Sequence, residues 1–156
     1  IMANVKIGSQ ASWNGDFVEN LDGAKSLASG DSGKVFMVDQ GSAFTVNLPK
    51  LSTNIAGWNA KFIVKTADSN DVHIMAWGLT SSGGTGDSGA TNDGDTVILK
   101  EMATTDAGAA TATSQDGVIL KSGATVGDSM EVFTDGSSWY ATSFVADAAH
   151  SDDIDG

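Results

Sequence analysis

The chain predicts an all-β domain, an antiparallel sandwich or barrel of about eight strands, with an extended N-terminal arm and long loops. Three observations carry that expectation. Turn signals are dense: 19 glycines stand against one proline, and six Asx-Gly pairs punctuate the chain. Glycine meets no Cβ penalty at the positive φ of a tight turn, so such pairs favour hairpins. Between the turns sit short runs rich in β-branched and aromatic residues. No segment of helical length carries an apolar stripe at the helical period.

The elements follow in order. Lys34 to Val38 is a continuous apolar run, and Asp39-Gln40-Gly41-Ser42 turns the chain. Phe44, Val46 and Leu48 alternate with Thr45 and Asn47, and Pro49 ends the run because it cannot donate to a ladder. Leu51 to Ala56 has room for a single helical turn. Trp58 to Thr66 is the longest strand, with Ala60, Phe62 and Val64 on one face and Lys61, Ile63 and Lys65 on the other. Val72 to Trp77, Thr96 to Lys100, Val118 to Lys121, Met130 to Thr134 and Trp139 to Phe144 complete the set, the last two joined by the hairpin turn Asp135-Gly136-Ser137-Ser138. Inward-pointing residues are expected at Val35 or Phe36, and at Val46, Phe62, Val64, Ile74, Leu99, Leu120 and Val132.

Three units result: an extended arm at 1–22, the β domain at 23–145, and an acidic, flexible tail at 146–156. In the arm, Ile7, Trp13, Phe17 and Leu21 are too loosely spaced for a regular element, which marks them as anchors for a partner. Ser81 to Asp95 and Met102 to Asp116 read as long loops, of the kind that serve function or order on a neighbour.

Charge narrows the partners. Eight lysines and no arginine face seventeen Asp and three Glu, for a net charge of -12. Such a chain lacks the planar forks that grip phosphate, and its field repels a nucleic-acid backbone. No run has the length of a membrane span, and Ile1 to Gln10 lacks the charged flank and apolar stretch of a signal peptide. The absence of cysteine excludes a disulfide framework, a thiolate metal site and a cysteine nucleophile.

The residues that invite a catalytic reading do not form a machine. Gly-Asp-Ser-Gly at 30–33 and 86–89, with a partial copy at Gly127-Asp128-Ser129, matches the nucleophile loop of trypsin-like proteases. Ser32 or Ser88 would need a base and an orienting aspartate, yet only His73 and His150 exist, one in an expected strand and one in the tail. Turn chemistry explains Gly, Asp and Ser together without an enzyme. Asn92 to Asp95 and Asp152 to Asp155 cluster carboxylates but miss the spacing of a calcium loop. Ser82 to Gly86 lacks the lysine and helix start of a phosphate cradle. No catalytic residue, cofactor or metal is therefore assigned. Trp58, Trp77 and Trp139 belong to strands as core or sheet-face residues.

Two blocks carry a resemblance. Gly33-Lys-Val-Phe-Met-Val-Asp, then Phe44-Thr-Val-Asn-Leu-Pro49 and Ala56-Gly57-Trp58 leading into Lys61-Phe62-Ile63-Val64, form the first. Gly127-Asp128-Ser129-Met130-Glu131-Val132 followed by Asp135-Gly136-Ser137-Ser138-Trp139-Tyr140 forms the second. Together they resemble head proteins of tailed bacteriophages, in particular small capsid decoration (cement) proteins. The resemblance implies a non-enzymatic virion protein on the outer capsid surface. Its partners would be the major capsid protein and further copies of itself, with a homotrimer favoured. Similar strand-turn-strand text occurs in tail and fibre modules, so a receptor- or glycan-binding β module of a head or tail fibre is the alternative.

Overall fold

A computed structural model describes residues 17–77, 97–103 and 111–154. Among them the chain is all-β, with helix confined to single 3-10 turns at Ser29–Asp31, Thr53–Ile55 and Ala148–His150. The strands are β1 (Val18–Leu21), β2 (Lys25–Ser26), β3 (Val35–Asp39), β4 (Phe44–Asn47), β5 (Asn59–Thr66) and β6 (Val72–Met75). They continue as β7 (Val97–Ala103), β8 (Thr111–Gln115), β9 (Gly117–Leu120), β10 (Ser129–Thr134), β11 (Trp139–Val145) and β12 (Ser151–Ile154).

Two sheets result, a seven-stranded one in the order β1-β3-β5-β10-β11-β7-β8 and a five-stranded one in the order β12-β9-β6-β4-β2. Neither closes into a barrel, and neither is purely antiparallel. From β1 to β6 the chain alternates between the sheets, so β1, β3 and β5 run parallel in one while β2, β4 and β6 run parallel in the other. Parallel neighbours need a crossover, and here a strand of the opposite sheet supplies each one. The result is a flattened coil. The second half, β9 to β12, pairs antiparallel, except where β11 lies parallel to β7. The expected antiparallel arrangement is thereby corrected to mixed sheets. Alternation reveals which face of a strand is buried but not which strand lies beside it, and the 39–42 turn carries the chain across to the other sheet.

Both sheets feed one core. Phe36, Val38, Phe62 and Val64 from the larger sheet are fully buried, as are Val46, Val72, Ile74 and Leu120 from the smaller. Phe36 and Phe62 stack at 5.2 Å, and Trp58 meets Trp139 edge-on at 5.2 Å. Each buried ring contributes about 1.5–3 kcal/mol or more through burial alone. Trp58 also donates its indole N–H to the Ala28 carbonyl at 3.0 Å. At the β3–β4 turn, buried Gln40 donates its Nε2 to the carbonyls of Asn70, Leu120 and Lys121, tying that end of the coil together. The inward residues expected from alternation are buried in this core at Phe36, Val46, Phe62, Val64, Ile74, Leu120 and Val132.

Three boundaries move. Val18–Leu21 is no arm: it pairs parallel with β3, and Leu21 is 3% exposed in the core. The tail is no frayed end either, because Ser151–Ile154 pairs with β9. The second long loop contains strand at both ends, with β7 reaching Ala103 and β8 covering Thr111–Gln115, where alternating β-branched threonines suit a pleated surface. The 81–95 loop lies outside the described residues.

Candidate interaction face

The two faces of β5, β10 and β11 have opposite characters. Inward go Ala60, Phe62, Val64, Met130, Val132, Trp139 and Ala141, all buried. Outward, by the same alternation, go Lys61 and Ile63 from β5, Glu131 and Phe133 from β10, and Tyr140 and Phe144 from β11. Three aromatic rings stand in water there: Phe133 at 46% exposure, Phe144 at 40% and Tyr140 at 38%. Phe133 and Tyr140 are direct cross-strand partners with ring centroids 6.2 Å apart. Val18 on β1 and the half-buried Val35 and Met37 on β3 extend the apolar surface toward the sheet edge. Burying such side chains contributes about 1.5–3 kcal/mol each, a driving force this face leaves unused in the single chain.

Register places the polar groups of this face. One row crosses the sheet as Val35, Lys61, Glu131 and Thr142, and the next as Met37, Ile63, Ser129 and Phe144. Lys61 Nζ lies 2.9 Å from Glu131 Oε1 and 5.9 Å from the Phe144 ring centre. Lys65 donates to the Asn20 side chain at 2.9 Å. At one end of the face, the Asp135 carboxylate takes N–H bonds from Ser137 and Ser138 and the Tyr140 hydroxyl. The backbone and side chain of Ser137, then the backbone of Ser138, pull its pKa down to about 2, so it is ionised across the ordinary pH range.

The four expected anchors separate. Phe17 is 42% exposed at the entry to β1, where its carbonyl accepts the Val35 N–H at 2.7 Å. Leu21 is buried and so is not available to a partner. Ile7 and Trp13 lie outside the described residues. The tryptophans separate too: Trp58 and Trp139 are core, while Trp77 is 42% exposed just past β6, with Lys50 Nζ 4.7 Å from its ring. The aromatic face itself was missed from sequence, although the alternation of Phe133, Tyr140 and Phe144 against buried neighbours was there to be read.

The residues that suggested a protease hold turns. Ser32 Oγ accepts the Asn59 N–H at 3.3 Å, and Asp31 accepts the Ala28 N–H while pairing with Lys34 at 2.7 Å. His73 lies on β6 of the other sheet. Ser88, Ser82 to Gly86 and Asn92 to Asp95 lie outside the described residues, and among those described no cluster of three or more His, Cys, Asp or Glu could hold a metal.

The third partial copy of that tetrapeptide is the structurally active one. Asp128, 5% exposed, accepts N–H bonds from Thr125 at 2.8 Å and Ala146 at 2.9 Å, and its Oδ2 lies 2.8 Å from His150 Nδ1. Burial pushes its carboxyl up, but the bonds from Thr125, Ala146 and His150 outweigh burial and hold it below the ordinary value. The carboxylate is therefore ionised, and Nδ1 is the donor. One side chain thus latches the turn before β10, the exit of β11 and the 3-10 turn leading into β12.

No family model matches the chain, and no curated protein or solved structure matches it either.

Proposed function

We propose that the chain is a structural virion protein, a capsid decoration (cement) protein that binds the outer face of the major capsid protein shell and stabilises it. The observation that supports this reading is the outward face of the seven-stranded sheet. It gathers Phe133, Tyr140 and Phe144 on rigid strands, the kind of flat, anchored aromatic surface that protein contacts use. The sequence resemblance to phage head proteins supplies the partner. The net charge of -12 suits a position outside the shell, away from the packaged genome. No reaction is assigned to it. The test is co-sedimentation of the purified chain with shells that lack it. Saturable binding that raises the shell's disruption temperature supports the proposal, and absence of binding refutes it.

A receptor- or glycan-binding fibre module is the second reading. Exposed Trp77, beside Lys50 and next to the 78–96 segment, is the observation that favours it, since an indole face can stack on a sugar ring. Replacing Trp77 with alanine separates the two readings: a fibre module loses carbohydrate binding, whereas a decoration protein keeps its shell affinity.

A further inference from the structure

We propose that Asp22-Gly23, in the connector between β1 and β2, is a covalent modification site at which the folded chain converts aspartate to isoaspartate. The site does not depend on the decoration reading. In an Asp-Gly pair the glycine amide nitrogen attacks the carboxyl carbon of the aspartate side chain. A C–N bond forms, the carboxyl OH and the amide proton leave as water, and a cyclic imide results. Water then adds to an imide carbonyl. Opening at the original main-chain carbonyl leaves the chain running through Cβ and Cγ with a free α-carboxylate, which is isoaspartate. One water is lost and one regained, and nothing is oxidised or reduced. Glycine favours the attack because no Cβ crowds its nitrogen.

Among the described residues the fold restrains the other two Asp-Gly pairs. Asp116 is 7% exposed, and its carbonyl accepts the Ala76 N–H at 2.9 Å. Gly117 opens β9, which is paired on both sides, and a Cβ there would lie 2.6 Å from the Ile74 carbonyl oxygen, so this peptide has no room to swing. At the second pair, the Asp135 carboxylate is held by the amides of Ser137 and Ser138 at 2.8 and 2.9 Å. The nitrogen that would attack is engaged as well, since the Gly136 N–H donates to Thr134 Oγ1 at 2.9 Å.

Asp22-Gly23 has none of these restraints. Asp22 is exposed, and among the described residues neither its carboxylate nor the Gly23 N–H has a hydrogen-bond partner. A Cβ on Gly23 would meet nothing within 4 Å, so space surrounds the peptide that must turn. The pair lies at a bend in the connector that carries the chain from β1 in the larger sheet to β2 in the smaller. Loss of the Gly23 N–H in the imide therefore breaks no described bond, whereas the same loss at Gly136 would break one.

The test is to age the intact chain for weeks, warm and at neutral pH, with urea-unfolded chain aged beside it and circular dichroism to confirm folding. Cleavage after lysine puts Asp22, Asp116 and Asp135 in the separate peptides 7–25, 101–121 and 122–156. Electron-transfer fragmentation then places isoaspartate at the residue, and methylation by an isoaspartyl-specific methyltransferase measures its total. In the folded chain Asp22 should convert about tenfold or more faster than Asp116 and Asp135, which react only after local opening. In the unfolded chain the three should convert at similar rates. Gly23→Ala, for which the fold has space, should slow conversion at Asp22 severalfold because its Cβ crowds the attacking nitrogen. No isoaspartate at Asp22 overturns the inference, as do equal rates at the three sites in the folded chain. An unfolded chain that keeps the same preference would place the selectivity outside the fold and overturn it too, as would a rate at Asp22 indifferent to Gly23→Ala.

Discussion

Replacing Asp128 with alanine removes one acceptor that serves three donors, from Thr125, Ala146 and His150. A hydrogen bond to a charged group contributes about 1.5–3 kcal/mol, but the Thr125 and Ala146 amides sit at exposed positions and can turn to water, so the net loss comes to about 2–4 kcal/mol. In a chain of 156 residues that lowers the melting temperature by about 5–15 °C. The loss depends on pH. Asp128 has a folded pKa below the ordinary 3.8, so its contribution is fully present above the unfolded value and disappears as pH falls through the folded one. Thermal melts of wild type and variant, followed by circular dichroism from neutral pH down to about pH 2, should show a gap that is full near neutrality and closes in acid. Hydrogen exchange should locate the damage in β12 first, since His150 and Ala146 flank its approach. A gap that stays constant with pH, or one below about 0.5 kcal/mol at neutrality, would refute the latch.

Three further outcomes follow from the packing. A Cβ on Gly117 would sit 2.6 Å from the Ile74 carbonyl oxygen and 2.7 Å from Met75 Sδ, so Gly117→Ala must move backbone and should cost about 1–3 kcal/mol, seen as a lower denaturant midpoint. Removing residues 1–21 deletes β1 and its buried Leu21, a loss of about 2–5 kcal/mol, and should give a visibly less stable protein in thermal melts. Ser32→Ala removes only the 3.3 Å bond accepted from Asn59 and should change stability by about 0.5 kcal/mol or less, and a serine-directed covalent inhibitor should not label Ser32 in the wild type.

What the sequence disclosed, and what it withheld, divides along physical lines. Local patterning located β3 to β7 and β9 to β11, and alternation oriented Val46, Phe62 and Ile74 inward, because a period of two reports directly on burial; the continuous run of β3 left Val35 and Phe36 undecided, and the structure buries Phe36. The Asp135-Gly136-Ser137-Ser138 hairpin was legible for the same reason: its chemistry is contained in four residues, with Gly136 at φ 96°. Parallel pairing was not legible, since the partner of β3 is β5, a full turn of the coil away, and no local residue pattern encodes that. The short strands β1 and β2 were too brief for periodicity, and β1 hides its purpose in a single buried residue, Leu21. β12 has an acidic sequence that reads as a solvated end, and it is positioned by the 3-10 turn that Asp128 holds through His150. The aromatic face could have been read from the spacing of Phe133, Tyr140 and Phe144.

The central claim is that this chain coats a shell, and its stoichiometry in the particle tests that most directly. If the proposal holds, a virus encodes the chain, and quantitative mass spectrometry of its purified virions should find the chain in a fixed, high ratio to the major capsid protein, with limited surface proteolysis reaching it from outside. A ratio of only a few copies per particle would place it on a fibre, and its absence from the particle would contradict the account.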